Sequence, residues 1–154
     1  MKLHTLPFVI AAVFTSCSPT KSESSSKNAF QEYEIVNRQA INLDDCLSQE
    51  EEQYLVFFHS ETCAHCQEII EEVILFAESN ILKTYFLDVS KPGNQTPRCS
   101  PSDIEIGIDQ VSNIKIVGTP TIIEIEDGIT TANVAGKDLC LMFLNEKKDK
   151  NIIA

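Results

Sequence analysis

The apolar residues of this chain fall into short blocks whose spacing alternates between strand and helix periods. Tyr54-Leu-Val-Phe-Phe58 is an unbroken run rich in aromatic and β-branched side chains. Such a run marks a strand buried on both faces, so it is the expected central strand. Behind it, Ile69, Ile70, Val73, Ile74 and Ala77 recur at helical spacing and predict a helix over Gln67 to Ser79. Thr84 to Asp88 reads as another strand. Thr121 to Glu126 and Ile129 to Val134 flank Asp127-Gly128, the pattern of a hairpin closed by a two-residue turn.

Other blocks carry shorter signals. Tyr33 to Val36 reads as a short strand, Ile41 to Glu52 as a short helix with Glu50, Glu51 and Glu52 on a solvated face, and Ile104 to Val111 as a short helix interrupted by Gly107. Lys91 to Pro101 is turn chemistry throughout and predicts a loop. Gly136 leads into a closing helix from Asp138 to about Lys148, with Lys147, Lys148 and Lys150 near its negative dipole end. Alternating elements finished by a hairpin and a helix predict an α/β domain with a mixed central sheet flanked by helices on both faces.

The N-terminal segment differs from the rest. The apolar run from Leu6 to Phe14 is too short to cross a bilayer permanently but fits the core of an export signal. Ser18 to Asn28 is polar and serine-rich without apolar periodicity, the composition of a tether that cannot offset its ordering entropy by burial. Residues 1–16 are therefore expected to be a signal peptide, residues 17–29 a tether beginning at Cys17, and residues 30–154 one domain. A chain of 154 residues suffices for one modest core. A net charge of −11 argues against nucleic acid or an anionic membrane face as the main partner, since phosphate binding relies on Lys and Arg. Six cysteines are easier to sustain outside a reducing cytosol.

The chemistry concentrates in Ser60-Glu-Thr-Cys-Ala-His-Cys-Gln-Glu68. A Cys-x-x-Cys between a buried strand and a helix puts Cys63 at the helix N-terminus, where unpaired amides and the dipole favour a thiolate. Cys66, one turn on, faces the protein and is near enough to close a disulfide. Cys63 is thus the expected nucleophile and Cys66 the resolving thiol. His65 can add positive charge beside the thiolate, which would favour the dithiol and make the couple more oxidising. No cofactor beyond the Cys63/Cys66 disulfide is expected, and no metal. A zinc site would need two further ligands from His59, Cys46, Cys99 and Cys140, none of which occur in paired spacing.

The motif Val56-Phe-Phe-His-Ser-Glu-Thr-Cys-Ala-His-Cys66, the Gly118-Thr-Pro-Thr121 that opens the hairpin, and Gly136 before the last helix together resemble the thioredoxin superfamily over roughly residues 33 to 148. The resemblance implies a thioredoxin fold, with Pro120 as a cis-proline facing the cysteines and discouraging metal capture, and the Thr119 backbone pairing with an extended substrate. Some features depart from the pattern. Phe57 stands where active members commonly carry a buried carboxylate, Thr62 stands where Trp is often found, and Ala64-His65 replaces Gly-Pro. His65, Thr62 and the Thr119-Pro120 pair are similar to exported oxidases and isomerases, so those activities are expected ahead of a reductase. Thr15-Ser16-Cys17 resembles a lipobox, which implies lipidation of Cys17 and anchoring to the outer face of a bacterial cell membrane. Size, tether and Gly-Thr-Pro-Thr are also similar to small Gram-positive thioredoxin-like proteins, some named bacteriocin transport accessory proteins.

The resulting expectation is an extracytoplasmic thiol–disulfide oxidoreductase that exchanges disulfides with exported proteins, served by a membrane redox partner. The alternative is a non-enzymatic accessory module that holds a secretion partner in the same groove. Among the other groups, His59 is expected to be structural, Glu61 a solvated charge and Cys140 a buried helix residue. Cys46 and Cys99 are left either as a structural disulfide or as separate thiols, since connectivity cannot be deduced from sequence.

Overall fold

The computed structural model describes residues 34–153. The expected signal peptide, Cys17 and the tether lie outside the described residues. Four strands, β1 (Gln53–His59), β2 (Lys83–Asp88), β3 (Thr121–Glu126) and β4 (Ile129–Ala135), form one sheet in the order β2-β1-β3-β4. β1 runs parallel to β2 and antiparallel to β3, and β3 pairs antiparallel with β4. With a partner on each edge and cover on each face, β1 is buried from Tyr54 to His59. That is why its sequence is continuously apolar instead of alternating.

Alternation along the strands splits the core into two layers. Leu55, Phe57, Phe86 and Ile122 point to one face, where they pack against α1 (Glu34–Arg38), α2 (Ala64–Glu78) and α3 (Lys137–Ile153) through Val36, Ile70, Val73 and Leu144. Tyr54, Val56, Phe58, Leu87, Ile123 and Ile125 point to the other face. Cover there comes from two 3-10 turns, Leu43–Asp45 and Val111–Asn113, with the extended segment that carries Ile114 and Ile116. The expected mixed sheet covered on both faces is present, with α-helices on one face and short 3-10 turns on the other.

Three local expectations are corrected. Glu34–Arg38 is helical, with Ile35 and Val36 turned into the core, and the sheet gains only a single bridge from Ala40 to Phe86. Between Ile41 and Glu52 only Leu43–Asp45 is helical. Here the backbone finds side-chain partners in place of a helical ladder: Leu43 N–H donates to Asn94 Oδ1 at 2.9 Å, and the Tyr54 hydroxyl donates to the Cys46 carbonyl at 3.0 Å. Ile104 to Gln110 is irregular rather than helical, and Val111 opens the 3-10 turn. Gly107 has φ 79°, and the segment bonds to β4 through Gly107 N–H to Thr130 O at 2.7 Å and Thr130 N–H to Ile108 O at 3.0 Å. The remaining expected elements are found, the hairpin turning on Asp127 (φ 52°) and Gly128 (φ 76°) as a two-residue loop of the primed type requires.

The loop after β2 is pinned rather than free. Asn94 is 2% exposed and spans two segments, accepting from Leu43 N–H and donating to the Asp88 carbonyl at 3.0 Å. Further on, Arg98 bridges to Ile116 in parallel fashion, with Cys99 N–H donating to Ile116 O and Ile116 N–H to Pro97 O. The loop is thereby stitched to the segment that enters Gly118-Thr119-Pro120.

Candidate active site

β1 ends at His59, and Ser60 to Thr62 turn the chain into α2. Cys63 N–H donates to the Ser60 carbonyl at 3.1 Å, and the Ser60 and Thr62 hydroxyls bond to each other at 3.1 Å. Cys63 is the residue that caps α2, in extended conformation. Its Sγ accepts from Cys66 N–H at 3.2 Å, the place an Asp or Ser oxygen takes in an ordinary cap. A sulfur held there receives an otherwise orphaned helix amide. From 56 positions away, the Thr119 carbonyl accepts a hydrogen bond from the Cys63 thiol at 3.3 Å. The Thr119–Pro120 bond is cis.

The two cysteines occupy different environments. Cys63 is partly exposed, whereas Cys66 is fully buried. Burial first, and then the hydrogen bond to Cys63, push the Cys66 thiol up to about 12, with Ser60 and Thr119 acting the other way. Six residues before Cys63 stands an apolar ring, Phe57, and not a carboxylate. It is fully buried and meets Phe86 edge-on at 6.1 Å. The buried acids on this face of the sheet, Asp88 and Glu124, stand on flanking strands: Asp88 ends β2, and Glu124 pairs with Lys147 and accepts from Gln53.

His65 is exposed and turned along the helix to Glu68, with Nδ1 3.6 Å from Oε1. Glu68 also holds Lys137 of α3 at 2.6 Å, and Lys137 first and His65 second keep its carboxyl below the usual carboxylate range. His59 is 4% exposed, stacked on Phe57 at 5.7 Å and edge-on to Phe86. It lines a cavity of about 40 Å³ with Val36, Ala40, Glu61, Asp88 and Lys91. Burial pushes its pKa down to about 4, opposed by Asp88 and reinforced by Lys91.

Behind the Thr119 loop, Gly136 N–H donates to the Pro120 carbonyl at 2.8 Å, and the Thr121 hydroxyl donates to the Gly118 carbonyl at 2.6 Å. Cys140 is buried, its Sγ 3.5 Å from the Val134 carbonyl, and burial pushes its thiol up to about 12. Cys46 is buried in the other core layer and pushed up to about 12 for the same reason. All five described cysteines are thiols, Cys46 and Cys99 included. Among the described residues no group of three or more His, Cys, Asp or Glu could hold a metal.

The structure therefore brings Cys63, Cys66, Thr119 and Pro120 together, and places His65 beside them on the outer face of α2. Sequence reasoning passed over two contributors. Ser60 ties the turn before α2 together, its carbonyl accepting from Cys63 N–H and its hydroxyl bonding Thr62, which no side-chain pattern announces. Arg98 lies with Nη1 2.9 Å from where a Cβ on Gly118 would project, and it donates to the Val117 carbonyl at 3.3 Å. Only the loop's docking reveals it.

The chain has the thioredoxin fold. It superposes on a thioredoxin-fold protein provisionally described as an oxidoreductase with a TM-score of 0.50 and 18% identity, covering 74% of this chain and 97% of that one. Thioredoxin f2 of Chlamydomonas reinhardtii matches at TM-score 0.48 and 15% identity, over 70% of this chain and 93% of its own. A point mutant of Halobacterium salinarum thioredoxin matches at TM-score 0.47 and 22% identity, over 70% and 88%. No family model and no curated protein matches the sequence.

Proposed function

We propose that this chain is an extracytoplasmic thiol–disulfide oxidoreductase that exchanges disulfides with exported proteins, acting as an oxidase or isomerase rather than a reductase. The observation that carries this reading is the asymmetry of the pair: Cys63 caps α2 within reach of the Thr119 carbonyl, and Cys66 is buried one turn behind it. Cys63 attacks a substrate disulfide as thiolate, forming a mixed disulfide and releasing one substrate thiol. Cys66 then loses its proton and attacks Cys63 Sγ, which releases the second substrate thiol and leaves the enzyme oxidised. Run backwards, the same steps deliver a disulfide to a dithiol. The partly exposed Thr119 lines the groove beside the sulfur, and His65, which faces Glu68, acts on Cys63 only through its charge at the start of α2 when protonated.

Export is supported by the apolar run before Cys17, and a lipid on Cys17 would hold the domain at the outer face of the cell membrane, within reach of a membrane redox partner. The test is exchange with a peptide disulfide. Cys63→Ser should abolish it, and Cys66→Ser should accumulate the mixed disulfide on Cys63; undiminished turnover by Cys63→Ser would refute the reading. A reduction potential at or above that of glutathione fits an oxidase or isomerase, and a much lower one a reductase. The high pKa of Cys66 favours one second reading, a module that binds a secretion partner without turnover. Partner binding retained by the Cys63→Ser/Cys66→Ser double variant would decide for it.

A further inference from the structure

Arg98 is the feature of the groove that thiol chemistry leaves unused. Resting on the reading of this chain as a disulfide-exchange enzyme, we propose that Arg98 selects substrate segments carrying an acidic residue two or three positions from the reacting cysteine.

The backbone of Arg98 is fixed by pairing, and its exposed side chain is directed by one hydrogen bond. Arg98 belongs to the loop bridged to Ile116, and the adjoining hydrogen bonds from Cys99 and Ile116 lock that register. Its guanidinium reaches forward to the Val117 carbonyl and lies over Gly118, close enough that a Cβ there would meet Nη1 at 2.9 Å. Glycine at 118 thus leaves the space the guanidinium occupies. The next residue, Thr119, offers the carbonyl that lies 3.3 Å from Cys63 Sγ. Bond lengths along this path put the charge on the order of 10 Å from the reacting sulfur, or two to three residues of an extended peptide at ~3.3 Å each.

The charge is also available. Arg98 is exposed, and among the described residues it has no carboxylate partner within 4.0 Å, while Lys137, Lys147 and Lys150 are each engaged by a glutamate. One of its five N–H groups serves Val117, which leaves the fork open for bidentate binding of a carboxylate. A permanent positive charge at the groove of a chain with net charge −11 reverses locally the repulsion that would otherwise turn acidic segments away. His65 does not provide this, because it faces Glu68. An ion pair at such a surface is worth roughly a three- to fivefold preference.

The experiment measures second-order exchange rates of the full chain with two otherwise identical peptide disulfides, bearing Glu or Gln two residues from the cysteine, and with glutathione disulfide. Wild type should prefer the Glu peptide about three- to fivefold at low salt and lose most of that preference at high salt. Arg98→Gln should bring the Glu/Gln ratio to about one, and Arg98→Lys should restore part of it. A ratio that survives Arg98→Gln, or a wild-type ratio near one, overturns the assignment while leaving disulfide exchange intact. If Arg98→Gln slows glutathione disulfide as much as the Glu peptide, the site serves a small carboxylate-bearing thiol and the protein-segment assignment fails. No exchange with any of the three overturns this inference and the proposed function together.

Discussion

If burial governs Cys66, resolution of the mixed disulfide should be slow at neutral pH and should accelerate tenfold per pH unit far into the alkaline range. A thiol with pKa about 12 is thiolate in roughly one molecule in 100,000 at pH 7, against about 3% for an unperturbed thiol at about 8.5. The population penalty is therefore about 3,000-fold. A more basic thiolate is also a better nucleophile, and with a Brønsted slope of ~0.4–0.5 the higher pKa returns about 30- to 50-fold. The net expectation is resolution on the order of 100-fold slower than a normal thiol held in the same place would achieve. In the mixed disulfide the hydrogen bond from Cys63 is gone, but the burial that is the larger cause remains.

The assay is the reaction of reduced protein with an aromatic disulfide whose thiolate is coloured, in a background where Cys17 and Cys99 are serine. One equivalent is released as Cys63 attacks and a second as Cys66 displaces the label, so the second phase reports the resolving step alone. Its logarithm should climb with unit slope from about pH 6 to 10, and the phase should vanish in Cys66→Ser. A second phase that levels off at or below pH 9 would refute the reasoning, because it would mean that Cys66 ionises as though solvated.

Two further predictions concern stability. His59 is held at about 4 in the folded state, below its ordinary 6.5, so the folded protein binds its proton less readily than the unfolded chain; the stability from the neutral ring is complete above pH 6.5 and lost as pH falls towards 4. It should amount to about 3 kcal/mol, and His59→Phe, which keeps the stack on Phe57, should flatten the acid limb of a denaturant-midpoint titration. An unchanged acid limb in the variant would show that other groups set it. Lys147 and Glu124 are 16% and 7% exposed, so Glu124→Ala, which strands a largely buried ammonium, should cost about 3 kcal/mol in urea unfolding, and Glu124→Leu with Lys147→Met should recover most of it. Equal losses in the single and double variants would contradict a desolvated pair.

The buried central strand, the helix carrying the cysteines, the second strand, the hairpin and the closing helix were legible in the sequence because their signals are local. Period, turn dipeptides and strand-like runs act over a few residues, and a Cys-x-x-Cys at a helix start brings its sulfurs together by helical geometry alone. The contrast between a partly exposed Cys63 and an inward-facing Cys66 was legible for the same reason. The segments at 33–36, 41–52 and 104–111 were not, since their backbone partners come from elsewhere. Phe86 pairs with the Ala40 segment, Asn94 and Tyr54 serve the turn around Leu43, and Thr130 bonds the backbone of Gly107 and Ile108. Only the tertiary structure decided how deeply Cys66 is buried, that His65 turns to Glu68, and that Arg98 lies over Gly118. Burial and charge placement depend on which distant segments pack against a side chain, and spacing along one chain carries no record of that.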